Sequence, residues 1–199
     1  MPDYTNILTT TRVNILAYLF LRHDNTRAFS TASDLKAFIE NPMTYYGYSL
    51  TIEKTIDTVV VVKDIVTEAA NWRPALSSIY SKLLIFINSN HLKVMQPKIV
   101  SFKPISKDSL EIRAGIPVNK VAGETSDIKF LKMPKGDMLV GEYVGPYNKR
   151  NSLSSAMEKY MSNHSLNEVA VPYEKFLNNE IPATDTSEVS IKMYYPILN

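Results

Sequence analysis

Cysteine is absent from the 199 residues, and glycine occurs only six times. Without thiols the chain holds no disulfide, thiolate zinc site, iron–sulfur cluster or cysteine nucleophile. The few glycines form no GxGxxG fingerprint, no GxxxxGK phosphate loop and no GxSxG elbow, which excludes the common dinucleotide, P-loop and serine-hydrolase motifs. A dominant charge sign is also missing: 22 Lys and Arg face 20 Asp and Glu, a formal net charge of +2. Duplex-DNA binders carry a stronger basic bias, so nucleic acid is not expected as a direct partner. Long apolar runs are lacking too. Val13–Leu21 is nearly all apolar, but a spanning helix needs roughly 20 such residues, and Arg22 and His23 close this run early. It reads as a packed helix of a cytoplasmic protein, and a membrane is not expected as a partner. The alternative is an exported or anchored chain, with Ser30-Thr31-Ala32 imitating a cleavage site.

What the chain does have is apolar bulk, 45% of its residues, and tyrosine, whose 12 copies outnumber seven phenylalanines and one tryptophan. Tyrosine joins an apolar ring to a polar tip and suits both a core rim and an amphipathic pocket. Residues 1–49 read as an N-terminal helical segment. Ser33 caps a helix over Asp34–Asn41, Pro42 ends it, and Tyr45-Tyr46-Gly47-Tyr48 makes an aromatic turn. Its basic residues (Arg12, Arg22, Arg27, Lys36) equal its acidic ones (Asp3, Asp24, Asp34, Glu40), which leaves no electrostatic footprint for DNA. Its apolar run needs burial, so the segment is expected to dock on the domain that follows.

Residues 50–199 read as that domain, and from residue 52 a pattern recurs. Thr58–Val62 is a β-branched run of strand length. Pro74 then opens a helix with Leu76, Ile79, Tyr80, Leu83 and Ile87 on one face, and strands follow through Phe102 and over Leu110–Val118. The order returns with a strand at Met138–Val144, a helix near Lys149–Asn163 burying Leu153, Ala156, Met157, Tyr160 and Met161, and two more strands. Asn90-His91 answers Asn163-His164, and Val94-Met95-Gln96-Pro97 answers Val169-Ala170-Val171-Pro172. The predicted fold is α+β: two pseudo-symmetric β-α-β-β units, 52–118 and 127–198, with antiparallel sheets, two backing helices and a central groove.

Gly141-Glu142-Tyr143-Val144-Gly145-Pro146-Tyr147 leads into the second helix, followed by Val171-Pro172-Tyr173-Glu174, a Pro182–Ser187 loop and Tyr195-Pro196-Ile197. This ordered set resembles the GyrI-like, or AraC effector-binding, domain family of the SOUL-haem-binding-like superfamily, over residues 52–198. The resemblance implies a groove between the halves that captures small amphipathic molecules, with Glu174 toward a cationic ligand and Tyr143, Tyr147 and Tyr195 close by. No cofactor is implied. Related proteins inhibit gyrase by contact or hydrolyse strained drug rings with a tryptophan and a glutamate, so a protein-interaction module and a hydrolase stand as alternatives. No DNA-binding module is evident, which favours a sensor or sequestering protein.

Glu174 sits in a strand between Tyr173 and Lys175, with Phe176 on its own face. An aromatic-walled carboxylate suits a lipophilic cation, whereas a surface glutamate would pair with Lys175 or Lys192. The groove holding it is expected away from the helix-covered face. Trp72, before Pro74, either reaches the groove or staples the helix to the core. His23, His91 and His164 lack metal-ligand spacing, so no metal is expected. Lys129, Lys132, Lys135, Lys149 and Arg150 read as a solvated basic face.

Overall fold

The structure, a computed structural model, describes residues 33–198 apart from 39, 56, 57, 134 and 179. Val13–Leu21 lies outside the described residues. The chain divides into two compact units, Met1–Gly47 and Tyr48–Asn199. Among the described residues no helix is long and apolar enough to cross a membrane.

In the first unit residues 33–38 and 40 are helical, and Pro42 starts a new helix, α1 (Pro42–Tyr46). The Asn41 side chain accepts hydrogen bonds from the backbone N–H groups of Met43 (3.0 Å) and Thr44 (3.4 Å). Proline fits the first helical position because its missing N–H would have had no helical partner. Tyr45 and Tyr46 are therefore helical, and the turn is confined to Gly47, which caps α1 at a φ of 79°.

The second unit runs β1 (Leu50–Lys54), β2 (Val59–Glu68), α2 (Trp72–Ser89), β3 (Ile99–Pro104), β4 (Ser109–Val118), β5 (Lys129–Lys132), β6 (Asp137–Pro146), α3 (Asn151–Asn163), β7 (Asn167–Glu168), β8 (Tyr173–Phe176) and β9 (Glu188–Leu198). These nine strands form one sheet in the order β1-β6-β9-β8-β3-β4-β2-β5, with β7 beside β9. Every pairing is antiparallel, and the sheet does not close into a barrel. This is the expected α+β arrangement. In β2-α2-β3-β4 and in β6-α3-β8-β9 alike, the last strand pairs with both the first strand and the one before it. The units meet where β3 pairs with β8, Ile99 opposite Lys175 and Val100 opposite Glu174.

Two short strands absent from the sequence expectation tie the ends together. β1 precedes β2 but pairs with β6, and β5 precedes β6 but pairs with β2. Lys129 and Lys132 thus belong to an edge strand, where lysine also discourages further strand addition. Buried Lys63 of β2 pairs with Asp127 just before β5 and anchors the same crossing.

Both helices pack on one face of the sheet. α2 starts at Trp72 after a 3-10 turn (Ala69–Asn71), so Pro74 lies in its first turn, where its absent N–H costs no helical bond. Leu76, Ile79, Tyr80, Leu83 and Ile87 are buried as expected, together with Trp72. α3 buries Leu153, Ala156, Met157 and Met161, whereas Tyr160 is half-buried and stacks on His164 at 4.0 Å. Beneath the helices lie Val100, Ile112, Ala114, Ile116 and Ile191, each with no measurable exposure. Burying an aliphatic side chain of this kind contributes about 1.5–3 kcal/mol.

Gly145 ends the strand part of β6 at a φ of 150°, and a Cβ there would lie 2.8 Å from the Tyr143 hydroxyl. That hydroxyl donates to the Pro146 carbonyl at 2.7 Å, which fixes the turn into α3. Gly145→Ala should cost about 1–3 kcal/mol in denaturant unfolding, the range for a backbone that L residues rarely adopt. Gly123→Ala, at an open position with nothing within 4 Å, should leave stability unchanged or raise it by up to about 1 kcal/mol.

Candidate functional site

α2 packs on β2 and β4, and α3 packs on β6. The central strands β3 and β8, where the units join, consequently have no helix directly over them. A groove of about 750 Å³ opens there, lined among others by Trp72, Phe102, Tyr147, Arg150, Glu174 and Tyr195. Its volume lies within the roughly 300–1,000 Å³ of small-molecule sites.

Glu174 enters this groove from the helix-bearing side of the sheet. It pairs across β9 with Met193, which pairs with Gly141, and a Cβ on Gly141 would meet Leu153 of α3 at 2.7 Å. The expectation that the groove avoids the helix-covered face is therefore corrected: groove and helices share a face, because the helices stand apart over the seam. The strand alternation is as expected, with Glu174 and Phe176 on this face and Tyr173 and Lys175 on the other.

Of the remaining residues singled out in the sequence, Trp72, Tyr147 and Tyr195 line the groove and Tyr143 does not. Tyr143 folds over Gly145 and is held by the Pro146 carbonyl, so its role is to shape the turn. Trp72 is both wall and staple: it stacks on Tyr147 (5.1 Å between centroids, planes at 25°) and meets Phe102 edge-on at 5.3 Å. The Tyr195 hydroxyl is 2.6 Å from Ser154 Oγ on α3. The Pro182–Ser187 loop closes one end. Arg73 donates to the Pro182 carbonyl at 2.9 Å and pairs with Asp185, while the Tyr147 N–H donates to the Ser187 carbonyl at 3.0 Å.

The residue that the sequence did not reveal as a site residue is Arg150, assigned there to a solvated face. Its Nε donates to Glu174 Oε1 at 3.1 Å, and its guanidinium lies 3.8 Å over the Tyr147 ring. The two side chains are 20% and 14% exposed, so this is a largely desolvated pair. Glu174 thus pairs with neither lysine considered from the sequence. Lys175 donates to Gln96 Oε1 at 3.0 Å, and Lys192 pairs with Glu142 at 2.7 Å. The 24-residue separation of Arg150 and Glu174 carries no local signal; only Arg150's place three residues after the Gly-Pro-Tyr turn marks it.

The pair leaves two polar atoms unmatched. Glu174 Oε2 and the Tyr147 hydroxyl are inaccessible to solvent and have no hydrogen-bond partner among the described residues. Native interiors rarely tolerate this, since each such group costs about 1–3 kcal/mol. Burial raises the Glu174 pKa above the ordinary carboxyl value, and Arg150 opposes that rise by charge and hydrogen bond. Burial, and then the Glu174 charge, raise the Tyr147 phenol, which stays protonated and able to donate. Among the described residues no group of three or more His, Cys, Asp or Glu could hold a metal.

No protein-family model matches the sequence, and no curated protein matches it. Solved structures share the fold. EcmrR in its DNA complex matches at a TM-score of 0.64 with 13% identity, over 93% of this chain and 77% of that one. The EcmrR C-terminal domain matches at 0.56 with 14% identity, over 76% of this chain and 98% of that one. A protein described as a hydrolase from Listeria innocua matches at 0.53 with 11% identity, over 74% and 92%. At such identities the likeness is one of fold.

The raised Glu174 pKa has a definite pH signature. A protonated carboxyl avoids the cost of a buried charge, so stability is present at low pH and is lost as pH rises through the raised folded value. Glu174→Gln should flatten the stability–pH curve above about pH 4, where an unfolded glutamate ionises. Denaturant unfolding across pH tests this, and identical slopes for both proteins would contradict the assignment.

Proposed function

We propose that the second unit is an effector-binding domain of the GyrI-like type, and that its groove captures a small amphipathic molecule bearing an N–H or O–H donor, best a protonated amine. The protein then acts as a sensor or sequestering protein. The observation that carries this reading is the pair of orphaned buried atoms, Glu174 Oε2 and the Tyr147 hydroxyl, in an aromatic-walled groove. A ligand that displaces the side chains shielding these two atoms gives Oε2 the donor it lacks, and an acceptor on the same ligand takes the Tyr147 proton. Trp72 and Tyr147 offer their stacked rings to its apolar part. Arg150 makes the site more selective than a lone carboxylate would be. It already neutralises Glu174, so a cation lacking a donor gains little, whereas a hydrogen-bonding amine satisfies the free oxygen.

A hydrolase with Glu174 as general base is the second reading. It is favoured by the raised pKa of that carboxyl and by the described activity of the Listeria innocua protein of the same fold. A protein-interaction role of the gyrase-inhibitor kind would leave the groove without a small ligand.

Titration with a fluorescent arylalkylamine separates these readings. Glu174→Gln should weaken binding by about 1.5–3 kcal/mol, the scale of a charge-assisted contact, and leave a neutral donor-free analogue unaffected. Mass analysis that finds a cleaved product, with turnover lost in Glu174→Gln and binding retained, would assign the hydrolase. No binding by the wild-type protein would contradict the groove as a ligand site.

A further inference from the structure

The opposite face of the sheet, on which no helix of the second unit packs, carries a cavity of its own. Strands from both β-α-β-β units line it: Val60 and Val62 of β2, Gly115 of β4 and Leu131 of β5 from one side, and Met138 of β6 and Tyr173 of β8 from the other. The sheet therefore curls so that this face encloses about 380 Å³. Gly115 keeps the floor low, since a Cβ there would fall 2.6 Å from Val60 Cγ1. A smaller annex of about 80 Å³ shares Val60, Met138 and Tyr173 with the cavity and ends on Lys175 and Gln96, with Glu53 and Lys54 at its rim.

Among the described residues, the charged groups lining this space are Lys175, Lys54 and Glu53 at the annex and Arg113 and Lys132 at the cavity. Lys175 stands directly across from Lys192 in the β8–β9 ladder, a like-charge pair that a sheet disfavours. Lys192 is offset by Glu142 at 2.7 Å. On the far side Arg113 is matched by both oxygens of Asp64 at 2.8 Å. Among the described residues Lys175 has no carboxylate within 4.0 Å; its ammonium donates to Gln96 and lies 4.5 Å over the Tyr194 ring. Two of its three donors remain for a ligand. Glu53, the acidic residue nearest in its influence, is exposed and beyond ion-pair distance.

We propose that this face holds a second binding site, for a small amphipathic carboxylate whose hydrocarbon chain fills the apolar cavity and whose headgroup pairs with Lys175. An unoffset ammonium at the end of an apolar space complements such an anion and disfavours a lipophilic cation. The groove on the other face, with its orphaned carboxylate oxygen, has the reverse preference. The two sites are independent, and the second does not rest on the effector-binding reading of the first.

Calorimetric titration of the full chain with decanoate, decanol and decyltrimethylammonium tests the assignment. Decanoate should bind saturably, with decanol at least about tenfold weaker and the ammonium undetected. Lys175→Met should weaken decanoate by about tenfold or more while the cooperative melt is retained. Leu131→Trp, which fills the cavity from a partly exposed edge strand, should abolish binding. If Leu131→Trp does not fold, Lys175→Met and Lys175→Gln decide alone. Absence of saturable decanoate binding, equal affinity in wild type and Lys175→Met, or displacement of decanoate by the groove's arylalkylamine would each overturn the second site. Failure of the arylalkylamine to bind wild type would reject the groove reading and leave the decanoate result standing.

Discussion

Each of the two long helices of the second unit, α2 and α3, covers mainly the strands of its own β-α-β-β unit, and the architecture follows from that limit. The units join through β3 and β8, so the seam between them is the part of the sheet that α2 and α3 cover least, α2 touching β3 through Trp72 on Phe102 and Tyr80 on the Ile99 carbonyl. Backbone hydrogen bonds satisfy the seam's main chain, and on the helix-bearing face Val100 and Phe176 are buried while Glu174 borders the groove. Aromatic groups from the helix starts, Trp72 and Tyr147, close in from the flanks and convert the gap into a groove. A groove at the seam of the two β-α-β-β units is thus a consequence of how the layers pack.

Into this low-dielectric seam the chain places a carboxylate. Burial alone would drive Glu174 toward its neutral form, and Arg150 restrains it at the cost of desolvating a guanidinium. Breaking such a pair typically costs about 3–5 kcal/mol, while making it contributes little net stability, so the pair is poorly explained as a device for stability. Its geometry is more telling. One oxygen is engaged, the other is buried and unmatched, and Arg150 is itself pinned over Tyr147. The free oxygen is held in place by packing, which limits the ordering a ligand must bring about.

The parts of this structure that repeat with a simple period were visible in the sequence. The apolar faces of α2 and α3, the strand alternation that separates Glu174 from Lys175, and the order of the long strands all follow from spacings of two and of three to four residues. Of the residues the family resemblance marked, Glu174, Tyr147 and Tyr195 line one groove and Tyr143 does not; Trp72, singled out by its place before Pro74, lines the groove as well. Three features were not accessible in the same way. β1 and β5 are too short to show an alternation, and their pairing crosses between units, a property of topology rather than of local pattern. Pro42 marks the end of the preceding helix as expected, but that it also begins α1 was not visible, because the Asn41 side chain that caps the new helix decides it. Arg150 looked like one of several surface cations. Its burial depends on an aromatic ring three residues earlier and a carboxylate on a distant strand, neither of which periodicity reports.

The central claim is that the unmatched oxygen of Glu174 is where a ligand's donor sits. The most direct test is a crystal structure of the protein with a bound arylalkylamine. The predicted result places the amine within hydrogen-bonding distance of Glu174 Oε2, with its ring against the Trp72–Tyr147 stack and the Arg150–Glu174 Oε1 bond intact. A complex in which the amine lies elsewhere and Oε2 remains without a partner would contradict the account.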